Sequence, residues 1–333
     1  MTSIGRIVNT RVAWEMRDAE LMLRRAARPL VVGMGGGGDV VGALATAELA
    51  RVYDGADPVL GGLTWERRPI DPVPGPRHVN EIEGGRELAP GVLLAGPRTR
   101  VRGREVYFAE SRMAEFLDQP TVLVDIHEGP GAIAAGLARA AGQLGCDLVV
   151  FIDVGGDVLA QGEERGLRSP LCDAVMLAAA ERLAGSGHPV LAGIFGIGCD
   201  AELTPDEVLA RLADVASAGG FCGARGLTEP VAERLEAAMR LVPTEASAQA
   251  VRAFRGASGL ATIRGGARTL ELSLTAALTF YLDVEAAVKA AGRLARAVSQ
   301  ATSLQEANDG LNRVGVRTEL DLEIEAERNG VER

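Results

Sequence analysis

Leu30-Val-Val-Gly-Met-Gly-Gly-Gly-Gly-Asp-Val-Val-Gly42 runs an apolar strand into four consecutive glycines and then into a helical pattern. Glycine reaches backbone conformations closed to other residues, and a helix starting at such a turn presents unpaired N–H groups to an anion. The stretch therefore predicts a strand, a ligand-binding turn at Gly35, Gly36, Gly37 and Gly38, and a return helix over residues 40–52. Before it, residues 16–28 read as an amphipathic lead-in helix. After it, the unit recurs. Residues 121–125 are a strand followed by an Ala-rich helix from about 131 to 144, and 147–153 are a strand whose helix starts at Ser169-Pro170. Residues 189–195 are a third such strand, followed by the helix start Thr204-Pro-Asp-Glu207. Short buried strands alternating with helices argue for an α/β fold with a doubly wound, mostly parallel, Rossmann-like sheet.

One domain over residues 1–333 is expected, because no linker separates the units. Residues 64–116 break the pattern into a Pro- and Arg-rich insertion, read as a binding loop or lid. Residues 220–333 read as a helical C-terminal cap with a hairpin around Gly265-Gly266.

Composition narrows the function. A formal charge of −10 argues against nucleic acid or an anionic membrane as partner and favours a small metabolite. Lys289 is the only lysine and has no catalytic surroundings, which disfavours Schiff-base and P-loop chemistry. The four cysteines are widely spaced, as reduced buried thiols would be. Without an apolar leader or a run of about twenty apolar residues, a soluble, cytoplasmic protein is expected, with a homo-oligomer left open.

Gly33, Gly35 and Gly38 satisfy the GxGxxG spacing of dinucleotide folds. Two residues count against that reading. Asp57 has the spacing of a ribose-binding acid but precedes its strand, and Asp39 would set a negative charge where a pyrophosphate should rest. Asp39 either caps its own helix or orients a metal or a ligand hydroxyl.

Carboxylates follow several strands: Asp125, His127 and Glu128; Asp153-Val-Gly155-Gly156-Asp157; and Asp200 with Glu202. In a parallel sheet all of these emerge at one edge, where α/β folds bind ligands. Asp153, Asp157 and Asp125 are the candidate ligands for Mg²⁺ or Mn²⁺, since all-oxygen sets suit hard cations. His127, Glu128 and Asp153 are the candidate catalytic groups, His127 because imidazole titrates near neutrality. Gly35 to Gly38, Asp39, Gly155 and Gly156 are expected to hold the ligand, with Arg67, Arg68, Arg77 and His78 of the insertion clamping its anionic group. Asp173 reads as an ordinary acid in the first turn of its helix, and Cys172 and Cys199 lack an activating histidine.

Four segments together, residues 33–42, Asp-Pro-Val-Pro-Gly-Pro at 71–76, Asp-Val-Gly-Gly-Asp at 153–157 and Ser-Pro-Leu-Cys-Asp at 169–173, resemble the domain-of-unknown-function 1152 family of bacteria and archaea. That resemblance spans most of the chain and implies no settled activity. A fainter one joins residues 151–162 to the glycine-rich motif of D-glutamate cyclase-type proteins, which are divalent-metal-dependent lyases, and implies metal-assisted chemistry on a small polar metabolite. Asp157 departs from it, standing where an amide side chain is expected. The combined expectation is a metal-assisted hydrolase or lyase acting on a small anionic, phosphorylated or nucleotide-like metabolite. The alternatives are a non-catalytic nucleotide or metabolite sensor and an NAD(P)-dependent oxidoreductase.

Overall fold

The computed structural model describes residues 17–330. Met16, the first residue of the expected lead-in helix, lies outside them. The helix itself is Ala19–Arg25, started by Asp18, whose side chain accepts the Leu21 amide. Thirteen strands follow: β1 (Pro29–Gly33), β2 (Val59–Leu63), β3 (Ile82–Glu83), β4 (Arg86–Ala89), β5 (Val92–Ala95), β6 (Arg100–Val101), β7 (Thr121–Val124), β8 (Leu148–Val154), β9 (Val190–Phe195), β10 (Phe221–Gly226), β11 (Gly259–Ile263), β12 (Arg268–Leu272) and β13 (Leu278–Leu282).

Nine of them form one sheet in the order β10-β13-β9-β8-β1-β2-β7-β5-β4. The central five, β9, β8, β1, β2 and β7, are parallel. Numbered in chain order and read from β7, they run 3-2-1-4-5, the first five strands of the Rossmann order. The reversal falls between β1 and β8, so the chain leaves these neighbours toward opposite faces and a crevice opens beyond their carboxyl ends.

Both faces of the sheet are covered, and the period of two along each strand shows how. Leu30 and Val32 of β1, with Val149 and Phe151 of β8, enter the core under helices Gly129–Leu144 and Pro170–Gly185. Val31, Val150 and Ile152 enter the opposite core, under helix Asp39–Leu49. Asp153 continues the Val149 and Phe151 series. It therefore emerges on the side of helix Pro170–Gly185, whose first turn carries Asp173.

Antiparallel strands flank the parallel centre. From the insertion, β4 and β5 add to the β7 edge. From the C-terminal part, β10 and β13 add to β9. Residues 64–116 and the described part of 220–333 thus contribute strands to the sheet. β11 and β12 pair around Gly265 and Gly266 as a separate hairpin. Four helices, Val284–Ala290, Arg293–Val298, Leu304–Arg313 and Glu319–Arg328, close the C-terminus. No described helix is long and apolar enough to cross a membrane.

Candidate metal centre at the carboxyl edge

The glycine turn is shaped by close contacts. A Cβ on Gly35 would meet the Asp39 carboxylate at 2.5 Å, and one on Gly42 would meet Val154 at 2.2 Å, so helix Asp39–Leu49 lies tight against β8. Asp39 does not cap its own helix. Its Oδ2 accepts the Gly35 amide at 2.9 Å. The Gly37 amide donates to the Trp65 carbonyl at 3.0 Å. Two of the four turn amides expected to hold an anion are thus already engaged, and Asp39 takes one of them. A pyrophosphate in the dinucleotide position would have to displace that carboxylate. Asp57 sits at the opposite end of β2, paired with Arg28 at 2.6 Å.

Six acids meet beside this turn. One carboxylate oxygen from each of Asp39, Asp153 and Asp173 lies within 4.8 Å of the other two, and the same holds for Asp157, Asp200 and Glu202. Asp153 lies beside both Asp157 and Asp173, so the two trios are contiguous. Asp39, Asp157, Asp173, Asp200 and Glu202 line a cavity of about 300 Å³, and Asp153 is fully buried behind them.

Local geometry explains the convergence. Gly155 and Gly156 adopt φ of +130° and +112°, open to glycine, and turn the chain so that Asp153 Oδ2 accepts the Gly156 amide at 2.7 Å. A Cβ on Gly155 would strike Asp200 Cγ at 2.2 Å. Glu202 is anchored by the amides of Arg168 at 2.6 Å and Ser169 at 2.9 Å and by the Ser169 hydroxyl at 2.7 Å. That hydroxyl is therefore diverted from the N-cap role its position predicts. Glu319, from the last helix, caps helix Pro170–Gly185 instead, accepting from the amides of Leu171 and Cys172, each at 2.9 Å.

So much buried negative charge needs a counter-charge. Of the salt bridges among the described residues, one reaches the six acids, Arg268 to Glu202 at 3.3 Å. Burial, reinforced by repulsion from Asp153, pushes the Asp39 carboxyl up to about 8. Burial and neighbouring carboxylates raise Asp157, Asp173 and Asp200 well above the usual range, and burial raises Asp153. Like charges this close cannot all ionise in a low-dielectric pocket unless a cation joins them. Asp173 Oδ1 is buried at the cavity wall and has no hydrogen-bond partner. An orphaned oxygen in an all-carboxylate set is what a hard, oxygen-seeking divalent cation would satisfy.

The other expected site residues divide. Arg67 and Arg68 line the cavity. Arg67 donates to the Gly35 carbonyl at 2.7 Å, lies 3.4 Å from Glu319, and stacks over Trp65 at 4.3 Å. Arg77 is not available as a clamp, because it is buried and bound to Asp71 at 2.6 Å, locking the insertion loop onto itself. Asp125 does not join the acids. β7 stands three strands from β8, on the order of 14 Å at about 4.8 Å per strand. Its carboxylate instead accepts His127 Nδ1 at 2.5 Å and faces His78 at 3.5 Å. His127 and Glu128 do not line the cavity, and Glu128 is exposed at the start of helix Gly129–Leu144. Asp173, read from sequence as a helix-dipole residue, belongs to the acidic group, as do Asp200 and Glu202. Their signal was their place after β9 and at the next helix start, usable only once β9 is known to adjoin β8. Glu66 also lines the cavity. It accepts the Ala109 amide at 2.5 Å, and burial raises it to about 7.

A Rossmann-like α/β protein with a buried carboxylate pocket at its topological switch point is the class this geometry defines. Residues 30–327 match the model of the family described as Protein of unknown function (DUF1152), and the chain belongs to that family. No curated protein and no solved structure matches it.

Proposed function

We propose that the chain is a divalent-metal-dependent enzyme, a hydrolase or lyase, that binds Mg²⁺ or Mn²⁺ in the six-carboxylate pocket and acts on a small anionic, phosphorylated metabolite. The observation that carries this reading is the pairing of two contiguous acidic trios with the orphaned Asp173 Oδ1. A cation held there supplies Lewis-acid polarisation of a phosphoryl or carbonyl oxygen and a lowered pKa for bound water.

The chain's own groups divide the remaining work. Asp157, Asp200 and Glu202 form one ligand trio and Asp39, Asp153 and Asp173 the other. Arg67 and Arg68 of the insertion, with Arg264 from the hairpin, line the same cavity as the acids and bind the anionic group. Glu66, raised to about 7, holds or moves the proton at its carboxyl oxygen. The role moves to it from His127 and Glu128, which stand outside the cavity. A volume of about 300 Å³ suits a metabolite of modest size. Asp39 on the Gly35 amide disfavours the nicotinamide reading.

The test is phosphate release or product formation from a panel of sugar phosphates, nucleotides and phosphorylated acids, with Mg²⁺, Mn²⁺ or chelator, run beside thermal-shift measurements. Turnover that requires metal and disappears in Asp153→Asn and Asp157→Asn is the expected result. If chelation leaves every ligand response unchanged, the metal has no role. Metal-supported binding without turnover would make the chain a sensor.

A further inference from the structure

The segment that leaves β7 carries a second group of metal-ligating side chains. Asp125 and His127 are two residues apart, and His78 comes from the insertion loop. One ligand atom from each lies within 4.8 Å of the other two. The Asp125 carboxylate is buried and oriented by backbone: Oδ1 accepts the His127 amide at 2.9 Å, and Oδ2 accepts the Val79 amide, next to His78, at 3.0 Å. One carboxylate thus fixes both histidine-bearing segments about itself. The two imidazoles stack with centroids 3.5 Å apart and 20° between planes.

We infer that His78, Asp125 and His127 form a second cation site, for a borderline transition ion such as Zn²⁺, separate from the all-oxygen pocket. Two imidazoles and one carboxylate are the donor set zinc takes in open sites, whereas the six acids suit a hard ion. Zinc–ligand bonds of about 2.0–2.2 Å set tetrahedral ligands about 3.3 Å apart, and because ring lone pairs lie in the imidazole planes, the half-exposed His78 ring must swing out of its stack on His127 to share the ion. The amide bonds to Asp125 are the outer-shell supports that orient ligating groups. His78 is 47% exposed and His127 20%, leaving a solvent-facing position and an entry path. Bound there, the ion would staple the loop bearing Arg67 and Arg68 to the carboxyl end of β7. The proposal is independent of the activity assigned above.

The experiment uses the full chain without an affinity tag, stripped with chelator, and titrates Zn²⁺ by calorimetry and Co²⁺ by its visible absorption in excess Mg²⁺. One equivalent of Zn²⁺ is expected, with a Co²⁺ spectrum of four- or five-coordinate nitrogen and oxygen ligation. His78→Ala and His127→Ala should each weaken it at least ~10-fold, while Asp153→Asn leaves it unchanged. Circular dichroism confirms folding, and His78→Ala, at an exposed position, is the variant that decides if His127→Ala misfolds. Zinc binding that survives both histidine substitutions, disappears in Asp153→Asn, or is absent from the parent chain overturns the inference.

Discussion

The two edges of the sheet carry acids of the same kind under opposite conditions. At the amino edge, Asp57 pairs with Arg28 in solvent and Asp147 accepts the amides of Ala27 and Arg28 at 2.7 and 3.0 Å. Each charge there has a partner or water. At the carboxyl edge six acids are packed together, one of them salt-bridged and one with an orphaned oxygen. Acids at the first edge secure turns at ordinary cost. Those at the second repel one another in the cation-free chain, a cost that the proposed cation would offset.

The largest expected effect sharpens that contrast directly. Asp153→Asn and Asp157→Asn should weaken Mn²⁺ binding by at least about 100-fold, or about 2.7 kcal/mol, in a calorimetric titration. The same variants without metal should melt no lower than the parent, since each replaces a buried carboxyl whose ionisation is unfavourable. A lower melting temperature with unchanged metal affinity would show these acids to be structural.

Gly155→Ala comes next. The new Cβ meets Asp200 at 2.2 Å in a backbone conformation of φ +130°. We expect a loss of about 2 kcal/mol in denaturant unfolding, together with weaker metal binding as Asp200 is pushed aside.

A third effect is the pH dependence. Asp39 at about 8 and Glu66 at about 7 lie above their unfolded values of 3.8 and 4.5. The folded state therefore holds more protons than the unfolded one between about pH 4 and 8. Stability from these groups is complete below about pH 4 and declines as pH rises toward each folded value, about 7 for Glu66 and about 8 for Asp39, by on the order of 1 kcal/mol per pH unit per group, and the slope vanishes above them. Carboxyls held low, such as Asp321, are ionised in both states there and contribute no slope. The metal-free chain should melt lower at pH 8 than at pH 6, and saturating Mn²⁺ should shrink or reverse the difference. Equal slopes with and without metal would break the link between cation and acids.

The smallest effect belongs to the amino edge. Asp57→Ala removes a pair in which both side chains are well exposed, and should change stability by less than about 0.5 kcal/mol with no effect on metal binding.

Local signals carried much of the fold and part of the site. The strand, glycine turn and helix at residues 30–42, the β8 run with Asp153 and Asp157 at its end, and the capping box at Thr204 and Glu207 are readable because each depends on neighbours a few residues away. Strand order is not such a property. Asp125 and Asp200 look alike in sequence, each an acid just past a buried strand. β9 lies beside β8 and β7 three strands away, so Asp200 enters the pocket and Asp125 does not. Ser169 and Asp173 stand at the start of helix Pro170–Gly185 as the sequence expects, but their surroundings were not readable, for a related reason. Their helix start has a good local cap, but Glu202 and Glu319, distant in sequence, claim the hydroxyl and the amides.

The amino-acid order by itself determined the alternation of strands and helices and the edge at which the acids emerge, since both follow from periodicity and chain direction. Only the folded chain decided which of those acids share a cavity, because that depends on which strands hydrogen-bond across the sheet, a choice made by long-range packing.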